Sequence, residues 1–188
     1  MPYPEGHKIK VRGKIIESAA QAFRTNGIRD ISVPVIMKGA GLTHGGFYSH
    51  FENKDQLVVE ACRYAISDTI ALLQQAADQA KDVPKIHAII QYYLSQEHRD
   101  RREIGCILPA LSGEMSRSSD EVRQVFTQEV QRMIDFIADL AQLDTSKASA
   151  LLSSMVGSLV LARSVHDSKL SDDLLAAGKQ YAQTILVA

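Results

Sequence analysis

Apolar side chains recur every three to four residues almost from end to end of this chain, and nowhere do they alternate at period two over a stretch long enough for a sheet. That regularity restricts the chain to an all-α fold of about nine helices, because amphipathic helices must bury their stripes on one another. Ile15, Ile16, Ala19, Ala22 and Phe23 mark a first helix over Arg12 to Asn26, with Gly27 where a C-terminal cap belongs. Ser32 caps a short second helix with Pro34 in its first turn, carrying Val35, Ile36 and Met37 and stopping near Gly39 to Gly41. Thr43 caps a third segment that reaches about His50. Asn53 with Gln56 then forms a capping box that opens a long fourth helix through Leu57, Ala61, Ala65, Ile66, Ile70 and Leu73.

Beyond Pro84 the pattern stays helical. A helix carries Ile86, Ile89, Ile90 and Tyr93, and a short piece lies near Cys106 to Leu111. Ser118 and Glu121 read as a capping box opening a helix to Gln142. Two helices close the chain, from Thr145 to Val165 and from Ser171 to Val187, the last with Asp172 and Asp173 in its first turn, where the helix dipole favours acids. Two units are expected, a head over residues 1–54 and a body over residues 55–188.

The formal net charge of −1 conceals an asymmetry, since residues 1–54 carry +4 and the remainder −5. A basic head that meets an anion and an acidic body that does not would carry this pattern. Cys62 and Cys106 lie far apart and in no metal spacing, and His87, His98 and His166 lack companions for ligation or nucleophilic catalysis. Neither metal nor cofactor is expected. There is no basic-then-apolar leader, and the longest uncharged run of the C-terminal half, Ala148 to Ala162, is shorter than the ~20 residues that cross a bilayer. A cytoplasmic protein without membrane contact is expected.

The stretch GLTHGGFYSHF places two glycines, each roughly 1 kcal/mol worse than alanine in a helix, inside a helical pattern. Two short helices joined by a glycine turn behind a longer one form a helix-turn-helix, whose second helix enters the major groove. There Gly45 and Gly46 would remove bulk where the backbone must approach DNA closely. Phe47 and Phe51 face the core; Tyr48 and His50 point outward to the sugar-phosphate chain; His44 reads a base edge; Thr43 and Lys54 offer phosphate contacts. The segment from Ile31 to Lys54 resembles the DNA-binding signature of TetR-type transcriptional regulators at Ala40-Gly41-Leu42, Gly45, Tyr48, Phe51 and Asn53-Lys54. The resemblance covers the N-terminal third of the chain and implies DNA contacts from Ser32, Thr43, His44, Gly46, Tyr48, His50 and Lys54. Pro34 and Met37 depart from the pattern, the first removing a polar contact and the second altering the packing of the two short helices.

The resemblance further implies a homodimer paired through its last two helices, a palindromic double-stranded operator, and a body that holds an unidentified small-molecule effector. In the penultimate helix Ala150, Ser154, Ser158 and Ala162 make a stripe of small residues suited to close helix approach at a dimer interface. Tyr92, Tyr93, Cys106, Met115, Phe126 and Met133 are candidates to line the effector pocket. Arg101 and Arg102 precede Cys106 and would favour a reactive thiolate, giving a repressor that senses electrophiles or redox state as an alternative. A remoter alternative is an enzyme with a dinucleotide loop at Gly39, Gly41 and Gly45, which needs a strand at Ile31 to Met37 that Pro34 interrupts.

Overall fold

Caps legible in the sequence set many of the element boundaries in the computed structural model, which describes residues 5–187. Helix α1 (Glu5–Asn26) ends at Gly27, whose φ of 78° permits the left-handed turn and whose N–H bonds Phe23 O at 3.0 Å. It starts well before Arg12, through residues 6–10, which are all exposed and so leave no apolar stripe in the sequence. Helix α2 (Val33–Gly39) and a 3-10 segment (His44–Ser49) follow, then α3 (Lys54–Gln79). The Asn53 side chain accepts the Gln56 N–H at 2.8 Å, and the Gln56 side chain reaches back to the Glu52 N–H. Residues 33–39 are helical and no strand occurs among the described residues, so the strand that a dinucleotide loop requires is absent there.

The body comprises α4 (Lys85–Tyr93), α5 (Gln96–Asp100), a 3-10 turn (Arg102–Ile104), α6 (Leu108–Met115), α7 (Asp120–Ala141), α8 (Thr145–Ser164) and α9 (Ser168–Val187). The body departs from expectation at several points, α6 among them, which runs to Met115 rather than Leu111. Helix α5 is polar except for its buried His98, so periodicity did not show it; Ser95 caps it by accepting the His98 N–H. Helix α7 takes Ser119 rather than Ser118 as its N-cap, because the Ser118 hydroxyl donates to Glu114 O. Helix α9 begins earlier because the Asp167 carboxylate caps the Leu170 N–H at 2.6 Å, which moves Asp172 out of the first turn and onto Arg99.

Helix α3 is the shared wall of the molecule, with α1 on one side and α4 and α7 on others, while α8 packs on α7 and α9. The buried core runs without a break from Ile15, Phe23, Ile36, Phe47 and Phe51 through Leu57, Ala61, Cys62 and Ile66 to Tyr93, Met133 and Leu151. Helix α8 is long and apolar enough to cross a membrane by length and composition, longer than its uncharged run because polar and charged residues at each end complete it. Here Leu151, Leu152, Met155 and Leu159 bury that apolar side within the chain.

Candidate nucleic-acid interface

The turn between α2 and the 3-10 segment is closed by Gly41, at φ 73°, with the Leu42 N–H on Met37 O at 2.9 Å. Gly39 serves packing instead: a Cβ there would lie 2.5 Å from the Ser18 hydroxyl oxygen of α1, which itself bonds Ile36 O. The segment after Thr43 is a tight 3-10 turn rather than an α-helix. Six residues with two glycines have little intrinsic helical tendency, and the anchors at Phe47 and Phe51 fix the segment from below. Both rings are buried and stacked with centroids 5.5 Å apart, and each contributes roughly 2–3 kcal/mol by burial. The Arg12 guanidinium sits 4.4 Å over the Phe51 ring and is paired with Glu60 of α3.

The opposite face is bare. Thr43, His44, Gly45 and Tyr48 are exposed, Tyr48 by 70%, and its ring meets that of His44 edge-on at 6.4 Å. A Cβ at Gly45 would meet nothing within 4 Å, and one at Gly46 only Met37 Cε at 3.7 Å. Neither glycine has a positive φ. The fold therefore asks for glycine at neither position. Met37, larger than the residue usual there, is buried and fills the space beneath Gly46.

Ser32 and Thr43 stand at N-cap positions in extended conformation, and neither side chain makes a cap hydrogen bond, so both hydroxyls are offered to the surface. Two residues point elsewhere than expected. Lys54 is half-buried and donates to the carbonyl oxygens of Ile28 (2.5 Å) and Ile31 (2.6 Å), so its ammonium braces the α1–α2 loop. Burial pulls its pKa down, against the opposing pull of Glu114 and Asp55. His50 is half-buried with an unpartnered, buried Nδ1. Its pKa is lowered by burial first and by Lys8 and Arg12 next, which places it on the α1 side of the segment.

A carboxylate distant in sequence grips the same loop. Glu114 of α6 accepts the N–H groups of Ile28 and Arg29 at 3.1–3.2 Å and occupies the space that a Cβ on Gly27 would need. Arg24, buried at the end of α1, donates to Ala65 O, Asp68 Oδ2 and Glu103 O, tying the head to α3 and to the 3-10 turn of the body. No local pattern announces either link, because each partner lies tens of residues away.

In the body, Tyr93, Cys106, Met115 and Met133 are buried, and Tyr92 and Phe126 are half-buried. They do not gather around one cavity. Met115 and Phe126 line an open cleft of about 450 Å³ with Asp120 and Arg123, while Tyr92, Tyr93 and Cys106 surround His98. His98 Nε2 accepts the Cys106 N–H at 2.8 Å, so Nδ1 carries the ring proton and donates it to Tyr93 O at 2.6 Å. Burial holds this neutral imidazole down to a pKa of about 4.

The Tyr93 hydroxyl faces the Cys106 thiol without making a hydrogen bond of ordinary geometry. Burial pushes that thiol up, outweighing Tyr93, Arg24 and Arg163. Arg101 and Arg102, expected to activate it, are exposed and bond to Glu97 and Arg163 O instead. A reactive thiolate therefore has no support in this conformation. Brief iodoacetamide treatment of the folded protein is expected to leave Cys106 unmodified by peptide mass mapping, and an adduct formed before unfolding would contradict that.

The small stripe of α8 winds off its face. Each step of four residues turns roughly 40° around a helix, so Ala150 is exposed, Ser154 half-buried and Ala162 buried. Ser158 lies against Gly178 of α9, where a Cβ would overlap its hydroxyl, and Ala162 O accepts the Ser171 hydroxyl. Gly157 and Leu161 share the outer face of α8 with Ala150, and Leu170, Ala177 and Tyr181 of α9 are likewise exposed. Leu161 is 53% and Tyr181 60% exposed, large apolar surfaces that the stripe did not reveal.

Residues 15–61 match the family of bacterial regulatory proteins, tetR family. Among curated relatives, the uncharacterized HTH-type transcriptional regulator YxaF of Bacillus subtilis is 29% identical over 116 residues, 61% of each chain. The HTH-type transcriptional repressor DhaR of Mycobacterium sp. is 29% identical over 114 residues, 60% of this chain and 56% of that protein. The chain thus matches about three-fifths of the length of these relatives. A TetR-family transcriptional regulator from Cytophaga hutchinsonii shares the fold with a TM-score of 0.78 at 18% identity, over 97% of this chain and 98% of that one. The reduced form of E. coli NemR does so with a TM-score of 0.76 at 16% identity, over 93% and 96%. A glycine-turned helix-turn-helix over residues 15–61 that matches the tetR family of bacterial regulatory proteins thus stands on a helical body that shares the fold of solved TetR-family regulators.

Proposed function

We propose that the chain is a homodimeric, ligand-responsive DNA-binding regulator, a repressor that an effector releases from a palindromic operator. The observation that carries this reading is the bare outer face of residues 43–48. Folding requires glycine at neither Gly45 nor Gly46, so their purpose lies outside the chain, where a groove floor limits how closely a backbone can approach. Thr43, His44 and Tyr48 are exposed around that face; in the proposed complex His44 reads a base edge and the hydroxyls of Ser32 and Thr43 bind phosphates. Lys54 braces the α1–α2 loop, and His50 lies on the α1 side of the segment. The naming of the relative DhaR as a transcriptional repressor favours repression.

What supports pairing through α8 and α9 is the exposure there of the large apolar residues Leu161, Leu170 and Tyr181 together with the small residues Ala150, Gly157 and Ala177. Two-fold pairing there would set two reading segments about one DNA turn, ~34 Å, apart. Selection of bound fragments from random duplex DNA is expected to recover an inverted repeat with half-sites at that spacing. Leu161→Glu is expected to give a monomer by light scattering that binds the repeat at least tenfold more weakly, since a buried unpaired carboxylate opposes pairing. A recovered sequence without symmetry, or a Leu161→Glu protein that stays dimeric, would remove the respective half of the proposal.

A further inference from the structure

Arg102 and Arg163 stand on the wall shared by two open clefts, and among the described residues neither has a carboxylate partner. Their arginine neighbours are neutralised, Arg99 by Asp100 and Asp172 and Arg24 by Asp68. Arg163 spends two of its donors on backbone carbonyls, Nη2 on His98 O at 2.6 Å and Nε on Arg99 O at 3.1 Å. Arg102 donates only to Arg163 O, at 3.3 Å. The carboxylate whose charge both feel, Asp100, is hydrogen-bonded to Arg99, so the two guanidinium groups still repel one another and keep positive charge that a bound anion would engage.

One of the clefts, about 280 Å³, lies between the end of α1, α6 and α8. Pro109, Ala110 and Val160 give it an apolar wall, and Arg24, paired with Asp68 but with a buried Nε that has no hydrogen-bond partner, also lines it. Its one carboxylate, Glu114, is committed to the Ile28 and Arg29 N–H groups. We propose that this cleft binds a small organic carboxylate, the charged end between Arg102 and Arg163 and the apolar body on Pro109, Ala110 and Val160, and that the bound anion loosens the head by repelling Glu114. The site stands on the geometry of the cleft; its effect on the head rests on the DNA-binding reading above.

Benzoate and its uncharged isostere benzamide test the site in the full-length chain, by titration calorimetry and thermal unfolding. Benzoate is expected to bind at millimolar concentration and raise Tm, with benzamide inert. Arg102→Gln, which gives up one exposed side chain and a single long hydrogen bond, is expected to fold normally and weaken benzoate about tenfold or more. Absence of benzoate binding, equal binding of benzamide, or an Arg102→Gln protein that binds as the parent does would overturn the site. Operator affinity is measured separately on the same samples. A fall on benzoate binding supports the coupling; an unchanged affinity in a protein that binds both overturns the coupling alone. Failure to bind any operator overturns the DNA-binding reading and the coupling with it, while the calorimetry still decides the site.

Discussion

Gly45→Leu is expected to leave the protein folded and to abolish operator binding. The folded state has room for the side chain, since a Cβ at this position meets nothing within 4 Å and the backbone is not in the left-handed region. Removing a glycine from a helical turn relieves a penalty of up to roughly 1 kcal/mol, so Tm should stay level or rise slightly. In the groove the same side chain would hold the backbone away from the base edges. It would forfeit several contacts at once, each worth about 1–3 kcal/mol, and a loss of at least about a hundredfold in affinity follows. Fluorescence anisotropy on the selected operator gives the affinity, and calorimetric unfolding confirms the fold. Full operator affinity in a folded Gly45→Leu protein would mean that this face does not touch DNA.

The second large effect lies at the joint between head and body. Gly27→Ala forces an L side chain into φ 78° and into the space held by the Glu114 carboxylate. The left-handed conformation costs about 1–2 kcal/mol, and displacing a carboxylate from two backbone N–H groups costs a further 1.5–3 kcal/mol or so. A loss of roughly 3 kcal/mol or more in urea unfolding is expected. The two parts separate in a double-mutant cycle: with Glu114→Ala already present, Gly27→Ala should cost only the conformational part, about 1–2 kcal/mol. An identical cost in both backgrounds would show that Glu114 does not constrain the glycine.

Local signals carried most of the fold into view. Gly27, Asn53 with Gln56, and the buried pair Phe47 and Phe51 act within a few residues of themselves, and the structure places them as their spacing suggests. Where a competing partner lay nearby the reading slipped by a residue or a turn, as Ser118 did to Glu114 O and the start of α9 did to Asp167. The reading segment was legible as a helix-turn-helix but not as a 3-10 turn, because period alone does not separate the two over six residues. The bracing role of Lys54 stayed hidden for a different reason. Its neighbours in the chain suggest a surface lysine, whereas its partners, Ile28 O and Ile31 O, come from a loop before the second helix. Glu114 and Arg24 stayed hidden on the same ground: what defines them is a tertiary neighbour, and periodicity does not encode tertiary neighbours.

The unbroken core has a consequence for how such molecules can be recombined. Phe23 and Phe51 share one core with Leu57, Ala61 and Cys62 of α3, and Arg24 reaches Ala65 and Asp68 beyond them. A chimera cut after residue 54 would graft the reading segment onto a foreign wall and sever every one of those fits. A viable exchange of DNA specificity has to carry the first turns of α3 with it, or change only the outward side chains and leave the seam intact.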